Sequence, residues 1–242
     1  MSRRQIPVLL LLPLLLSGGA PARAATDAPA EGPPAETAAP FDWSVTSASR
    51  YCFEGFDYSA GRAVVQPQGS LTWKRCEFGF WGNGDPARGE LNEVDLSAQT
   101  DWEHGAWSAD LGYQHLHYPH RDWSATSEVF ADLALAGPLN PSLSIHRDVD
   151  AGNGAYTTLG LAHDLPGHGT TLGLAAKLYV HDHYYGLSGI PALETNVALA
   201  QPVGGITVRP MLQRFWTWEN RDFRGAEALA PTWVLSVAIG SK

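Results

Sequence analysis

Polar and apolar residues alternate strictly between Glu93 and Trp102, and the same two-residue period returns in segment after segment toward the C-terminus. Such alternation predicts β-strands with one polar and one apolar face, because successive side chains of a strand point to opposite sides of the sheet. A soluble β-sandwich has the same period but packs its apolar face against a second sheet. About a dozen such segments, with aromatic residues near their ends, favour a barrel whose apolar face meets lipid.

Twelve strands are predicted by this pattern. They are Phe41–Phe56, Val64–Lys74, Glu77–Gly82, Asn92–Trp102, Ala106–Tyr118, Thr126–Leu135, Ser142–Val149, Ala155–Asp164, Thr170–Val180, Ala192–Ala200, Ile206–Phe215 and Thr232–Gly240. An even number of strands fits an antiparallel barrel whose two chain ends lie on the same side of the membrane. A length of about ten residues suits a tilted transmembrane strand. The predicted fold is therefore all-β, a single antiparallel transmembrane β-barrel formed by residues 41–242.

The connectors between these strands alternate in length. Short ones lie at 74–76, 103–105, 137–139, 166–169 and 201–205, and longer ones at 57–63, 83–91, 119–125, 150–154, 181–191 and 217–231. Outer-membrane barrels have short periplasmic turns and longer extracellular loops. The alternation in length thus predicts an orientation as well as a fold.

The apolar face of the predicted strands is rich in aromatic and aliphatic side chains that would face lipid. These are Phe41, Trp43, Val45, Tyr51, Phe53, Leu71, Trp73, Phe78, Phe80, Val94, Leu96, Trp102, Trp107, Leu111, Leu172, Leu174, Leu178, Trp233, Leu235, Val237 and Ile239. Several tryptophans lie near strand ends, where indole rings form girdles at the membrane interface.

The polar face would line the interior, and carboxylates outnumber basic groups on it. The candidates for a lumen and its selectivity are Arg50, Glu54, Glu93, Asp95, Asp110, Glu128, Asp132, Lys177, Glu194 and Arg209. The same face carries Gln66, Gln68, Lys74, Glu77, Gln99, Asp101, Gln114, His146, Asp148, Asp164, Asn196 and Gln213. So many ionisable groups need water or partners. Two interiors meet that need: a narrow, hydrated, cation-preferring lumen, and an interior closed by salt bridges. Both stay open because a twelve-stranded barrel is intermediate in width between small barrels filled by side chains and large barrels with an open channel.

The N-terminal region predicts export. Arg3 and Arg4 precede an apolar run, and Ala22-Arg23-Ala24 offers the small residues that signal peptidase accepts, so residues 1–24 are expected to be a signal peptide. Residues 25–40 have little to bury and are expected to be a disordered periplasmic tail. Three of the 16 basic residues lie in the signal peptide, which leaves 13 against 25 acidic ones. Nucleic acid is a poor partner for such a chain.

Several strand motifs resemble a known family. Ser-Arg-Tyr-Cys-Phe-Glu-Gly-Phe-Asp-Tyr-Ser-Ala-Gly at 49–61, Gln-Pro-Gln-Gly-Ser-Leu at 66–71, Phe-Trp-Gly at 80–82 and Glu-Val-Asp-Leu at 93–96 are similar to TorF-type porins, which are small outer-membrane barrel proteins. The likeness covers most of residues 41–242. It implies the cell outer membrane of a Gram-negative-type bacterium, contact with outer-membrane lipid, and passive passage of small hydrophilic solutes or ions.

Two features depart from that family. Glu54 stands where the family more often has Arg before Gly55, which would alter the charge of the lumen. The chain ends Ile239-Gly240-Ser241-Lys242 instead of in an aromatic residue, which bears on assembly.

Histidines near the long connectors raise the question of a metal site. His115, His117 and His120 form one group, and His181 and His183 form another, spaced so that alternate residues share a strand face as zinc or copper ligands can. The alternative is an interfacial belt shared with neighbouring tyrosines, because spacing alone fixes no ligand geometry. We predict no metal and no cofactor.

An enzyme is a further alternative, since a barrel rim can present a nucleophile and a base to lipid. His183 with Ser188, or His120 with Ser124, supplies such a pair, but neither has an orienting acid or amide at a convincing position. We therefore predict that the protein is not an enzyme. A structural or binding barrel without conduction is the nearer alternative to a porin.

Cys52 and Cys76 lie on neighbouring predicted strands in an oxidising compartment. The predicted register separates them by about four residues, further than the Cα distance that a disulfide spans. We therefore expect no bridge, although a bulge or a longer loop would restore the register.

Overall fold

The computed structural model describes residues 41–218, 226–228 and 231–241, so the predicted signal peptide and tail at 1–40 lie outside the described residues. No helix within these ranges is long and apolar enough to cross a bilayer. The described strands are β1 (Phe41–Ala48), β2 (Cys52–Phe53), β3 (Phe56–Asp57), β4 (Val64–Trp73), β5 (Cys76–Asp85), β6 (Glu90–His104), β7 (Trp107–His117), β8 (Thr126–Leu135), β9 (Ser142–Asp148), β10 (Ala155–Pro166), β11 (Thr171–Tyr184), β12 (Leu187–Gly189), β13 (Ala192–Val203), β14 (Ile206–Thr217), β15 (Glu227–Ala228) and β16 (Thr232–Ser241).

Twelve of these strands close into one antiparallel barrel. Their order around the wall is β1, β4 to β11 in sequence, β13, β14 and β16, and β16 returns to pair with β1. Closure pairs every wall strand on both sides, which a sheet must achieve where lipid offers no hydrogen bonds. The prediction of a single twelve-stranded transmembrane β-barrel is confirmed.

Strand bounds agree closely with the sequence pattern except at the first strand. The predicted strand Phe41–Phe56 is wrong in its second half, because β1 ends at Ala48 and the chain then turns into the barrel. Two predicted loops are partly strand, since β5 and β6 extend the hairpin at 83–91 and β11 continues to Tyr184.

The two ends of the barrel differ in their connectors. We call the end with the turns at 74–75, 105–106, 136–141, 167–170 and 204–205 the short-turn end. The opposite end, with the segments at 49–63, 86–89, 118–125, 149–154, 185–191 and 226–228, is the long-loop end. The connectors at the long-loop end are on the whole the longer ones, as predicted, although 86–89 has four residues and 136–141 at the short-turn end has six.

The outer surface of the barrel is apolar, as the alternation predicts. Leu96 is 56% exposed, and Leu111, Leu174 and Leu235 are also exposed on the same outer face. A continuous apolar belt of this kind is what lipid covers. Exposed tryptophans flank it at both ends: Trp73, Trp102 and Trp107 lie near the short-turn end, and Trp216, Trp218 and Trp233 near the long-loop end.

Candidate functional site

Residues 49–63, which we call the inward segment, leave the barrel wall after β1 and fold into the long-loop half of the interior. Their centre is a small hairpin in which Phe53 pairs with Phe56. The two turn residues, Glu54 and Gly55, have φ values of 52° and 91°. A two-residue turn of this twist needs positive φ at both positions. Glycine adopts that conformation freely, whereas for Glu54 it is strained.

One carboxylate holds the inward segment in shape. Asp57 accepts hydrogen bonds from the backbone N–H and the hydroxyl of Ser59, both at 2.9 Å, and from the N–H of Gly61 at 2.8 Å. Arg50 Nη1 lies 3.3 Å from the same carboxylate. At the outer end of the segment, Arg62 Nε donates to Asp85 Oδ2 at 2.6 Å, which ties it to β5.

The inward segment packs against the far wall of the barrel through aromatic rings. Phe53 meets Tyr156 of β10 and Tyr179 of β11 edge to face, each with ring centroids 5.8 Å apart. Phe56 stacks on His181. The predicted lipid-facing positions of Tyr51 and Phe53 are therefore wrong: they are only 3% and 8% exposed, because this apolar face meets aromatic side chains inside the barrel.

Three glutamates of the inner wall each accept a hydrogen bond from a tyrosine hydroxyl. The pairs are Tyr51 with Glu93 at 2.8 Å, Tyr184 with Glu128 at 2.7 Å, and Tyr179 with Glu194 at 2.8 Å. Side-chain amides add to two of them, since Gln114 donates to Glu128 and Gln213 donates to Glu194. Hydrogen bonds to a charged acceptor are the stronger kind, and they offset part of the cost of burial.

Glu54 is a buried carboxylate whose oxygens are left without hydrogen bonds from the described residues. It lies at the tip of the hairpin and is fully buried. His181 Nε2 lies 3.2 Å from Oε2, at ion-pair distance but without hydrogen-bond alignment. Burial, backbone strain and unsatisfied oxygens together make the hairpin tip a candidate functional position.

The remaining lumen candidates on wall strands lie on the inner face, and both bases among them have acidic neighbours. Lys177 interacts electrostatically with Glu194 and Asp132, and Arg209 with Asp164. Asp95 and Asp110 are buried on the inner faces of β6 and β7. Asp132 accepts a hydrogen bond from the Ser144 hydroxyl and lies 3.9 Å from His146 Nε2.

Arg50 is inside the barrel as predicted, but on the inward segment and not on a wall strand. Lys74 is not in the lumen: it lies exposed in the turn after β4, and its Nζ sits 4.7 Å from the centre of the Trp73 ring. The prediction failed there because the alternation runs on into the turn while the backbone leaves the sheet at a φ of 61°.

Two small cavities flank the inward segment. One, of about 20 Å³, lies among Tyr51, Glu54, Glu93 and Glu128, and the other, of about 30 Å³, lies beside Arg50. Volumes of this size hold one or two water molecules. Among the described residues, the inward segment thus fills most of the long-loop half of the interior, while Asp101 and Glu103 at the short-turn end are exposed to water.

The two histidine groups that were weighed as possible metal ligands are not brought together in the described residues. His115 and His117 lie on the outer face of β7, and His115 Nδ1 is 3.1 Å from the Ser127 hydroxyl. His181 is buried inside, whereas His183 is 81% exposed, because the register of β11 shifts between them. Within the described ranges no three His, Cys, Asp or Glu side chains are grouped to hold a metal ion.

The two proposed serine–histidine pairs are not assembled as catalytic pairs. The Ser188 hydroxyl accepts a hydrogen bond from the backbone N–H of His183, while the His183 ring contacts Asp182. The His120 ring contacts the carbonyl of Leu91.

Both cysteines are free thiols in the structure. Cys52 lies on the inward segment and Cys76 begins β5 at the short-turn end. Burial raises the pKa of the Cys52 thiol above its ordinary value, so less of it is thiolate at any given pH.

Alkylation rates should therefore separate the two cysteines. The thiolate is the reactive form, and each unit of raised pKa lowers its fraction about tenfold. At pH 8 in detergent, iodoacetamide is expected to modify Cys76 at least about ten times faster than Cys52. Peptide mass spectrometry of timed samples measures both rates, and the unfolded chain, in which the rates should converge, is the control. Faster modification of Cys52 would mean that the inward segment opens readily.

Known proteins resemble the chain in fold. No protein-family model and no curated protein matches the sequence. The NanC porin structure superposes with a TM-score of 0.59 at 12% identity, covering 83% of this chain and 99% of the porin. The outer-membrane phospholipase A of Escherichia coli gives 0.47 at 13% identity over 84% and 92% of the two chains, and OprB of Pseudomonas putida gives 0.37 at 11% over 77% and 60%. The first similarity supports the barrel fold.

Proposed function

We propose that the protein is an outer-membrane porin that passes small hydrophilic solutes and prefers cations. The observation that carries the proposal is the inner wall, on which carboxylates such as Glu93, Asp95 and Asp110 outnumber bases. Fixed charges of one sign in a narrow space bounded by low dielectric attract ions of the opposite sign. Resemblance to TorF-type porins in the strand motifs and to a porin in fold agrees with this function.

The proposed orientation follows from the connectors. In the outer membrane of a Gram-negative-type bacterium, the short-turn end would face the periplasm and the long-loop end the cell exterior. Outer-membrane lipid would then cover the apolar belt, and no catalytic step or cofactor is part of the proposal.

The inward segment gives this pore a gate. Solutes would enter from the exterior only when the hairpin around Glu54 moves off the aromatic wall formed by Tyr156 and Tyr179. The same segment also favours a second candidate function, a barrel that binds or anchors without conducting, if the hairpin never leaves its position. Ion conduction therefore decides between the two.

Reversal potentials in planar bilayers test the proposed selectivity. Under a KCl gradient at low ionic strength, we expect a clear preference for K⁺ over Cl⁻. The preference should shrink near 1 M salt, where the screening length falls to about 3 Å. Substituting both Glu93→Gln and Asp95→Asn removes two inward charges, so the shift in reversal potential should fall toward zero.

The matched control is Asp150→Asn with Asp182→Asn, which removes the same charge from the long-loop end. Its reversal potential should stay close to that of the unmodified protein. Anion preference would overturn the acidic lumen as a filter. A correctly folded barrel that carries no current under any condition would favour the non-conducting binding barrel.

A further inference from the structure

Three aspartates lie directly opposite one another on neighbouring strands of the inner wall. Asp101 of β6 pairs in register with Asp110 of β7, and Asp110 pairs in register with Asp132 of β8. We call these three residues the aspartate ladder. Side chains on directly opposite positions have Cβ atoms about 4.5–5.5 Å apart, so the three carboxylates form evenly spaced rungs.

The middle rung has no compensating partner. Asp110 is only 7% exposed, and no described residue donates a hydrogen bond to it or forms an ion pair with it. The charged groups that act on it are Asp132, Asp101, Glu77 and Glu103, all of them acidic. Like charges directly opposite on a sheet are destabilising, and a buried unpaired charge is costly.

The third rung is partly compensated. Asp132 has Lys177 and His146 as neighbours of opposite or titratable charge, and the Ser144 hydroxyl donates to one of its oxygens. Its other oxygen, Oδ2, is buried and receives no hydrogen bond from the described residues. Hydrogen-bond acceptors thus remain open at Asp110 and Asp132, side by side, and a cation with N–H donors would satisfy both.

The spacing of the ladder selects the form of the cation. In the described residues, no three acidic or histidine side chains converge closely enough to coordinate a metal ion. The charge to be balanced is instead spread along a line of rungs. A linear aliphatic diamine matches this arrangement, because a short methylene chain separates its ammonium groups by about the distance between neighbouring rungs.

We propose that the aspartate ladder is a binding site for linear aliphatic diamines and polyamines, with ammonium groups seated between successive carboxylates. Asp101 is exposed at the short-turn end, so the ligand reaches the ladder from that side without passing the inward segment. The assignment of such amines as transported solutes rests on the proposed function; the binding itself does not.

Calorimetric titration of the purified full chain in detergent micelles tests the site. The probes are 1,4-diaminobutane, 1-aminobutane and MgCl₂ at equal ionic strength. We expect saturable binding of the diamine, with 1-aminobutane and Mg²⁺ much weaker. Because Asp110→Asn removes a charged acceptor from the site, it should weaken diamine binding at least about tenfold. Asp182→Asn, an exposed substitution at the opposite end, should leave it unchanged.

Thermal unfolding of the same variants gives an independent readout. Without ligand, Asp110→Asn should melt at the same or a higher temperature, since it removes like-charge repulsion. Diamine should raise the melting temperature of the unmodified protein but not that of Asp110→Asn. If that variant does not fold, Asp101→Asn, an exposed position on the same ladder, should reproduce the loss of binding.

Two outcomes would overturn the site. Equal binding of the diamine and 1-aminobutane would reduce it to general attraction of cations, and absence of binding would mean that protons neutralise the ladder.

Failure of the site and failure of the pore are distinguishable. A barrel that binds diamine but carries no current contradicts only the porin, and one that conducts but binds no diamine contradicts only the ladder.

Discussion

Replacing residues 49–63 with Asn-Gly is expected to convert a mostly closed barrel into one with a large, steady ion current. Ala48 and Val64 are direct cross-strand partners, so a two-residue turn joins β1 to β4 without altering the wall. The replacement removes the hairpin that fills the long-loop half, including Tyr51, Phe53 and Phe56. Single-channel recording in planar bilayers should show openings several-fold larger and longer than those of the unmodified protein.

A matched pair of point variants tests the same gate with less disruption. Gly55→Ala places a side chain at a φ of +91° and a Cβ 2.9 Å from that of Ala192, so it should loosen the hairpin and raise the frequency of openings. Ala60→Gly is the reverse change in the same segment, at an exposed residue whose φ of 50° suits glycine, and should not increase current. A shortened barrel that folds yet conducts like the unmodified protein would show that the inward segment is not the barrier.

The wall of the barrel was predictable from the sequence because one physical rule governs it. Successive side chains of a strand point to opposite faces. Because one face of the wall meets lipid and the other carries polar groups, this rule appears in the sequence as a two-residue pattern. The strand Thr126–Leu135 was predicted with the bounds that the structure has. The sequence pattern likewise placed the carboxylates of β6, β7 and β8 inside the barrel. Asp95, Asp110 and Asp132 each occupy an alternate position of their strand that faces away from lipid.

The inward segment was not predictable by that rule. Tyr51 and Phe53 continue the alternation of β1, and an aromatic interior selects the same apolar side chains as lipid does. A signal was nevertheless present in the turn chemistry: Glu54-Gly55 between two phenylalanines suits a tight hairpin, and Asp57 followed by Gly61 suits a second turn. Turn residues in the middle of a supposed membrane strand argue against that strand.

The inward-facing tyrosines of β10 and β11, of which Tyr179 donates to Glu194, were missed for a different reason. Tyr156 and Tyr179 lie on the inner face, where the pattern predicts polar residues, and an aromatic ring there looks like an interruption of the alternation. The shift in β11 that separates His181 from His183 is a bulge. A bulge reverses which alternate residues of the strand face inward, and it has no fixed sequence signature. Long-range packing inside the barrel, and not strand propensity, decides both features.

The second large effect is expected on the outer face. Leu96→Arg places a charge on the lipid-facing side of β6, where Leu96 is 56% exposed, and arginine at the midplane of the bilayer costs about 2–4 kcal/mol. The variant should lose most of its folded, membrane-inserted fraction, and Leu174→Arg on β11 should behave in the same way. Heat-modifiable migration on gels after refolding into lipid vesicles measures that fraction.

Glu93→Gln is the matched control for this experiment, because Glu93 lies on the same strand as Leu96 but points inward. It removes a charge, and glutamine retains an acceptor for the Tyr51 hydroxyl, which now donates to Glu93 at 2.8 Å. Folding should therefore stay near that of the unmodified protein. Normal assembly of Leu96→Arg together with failure of Glu93→Gln would reverse the two faces of β6, and with them the acidic lumen on which the proposed function depends.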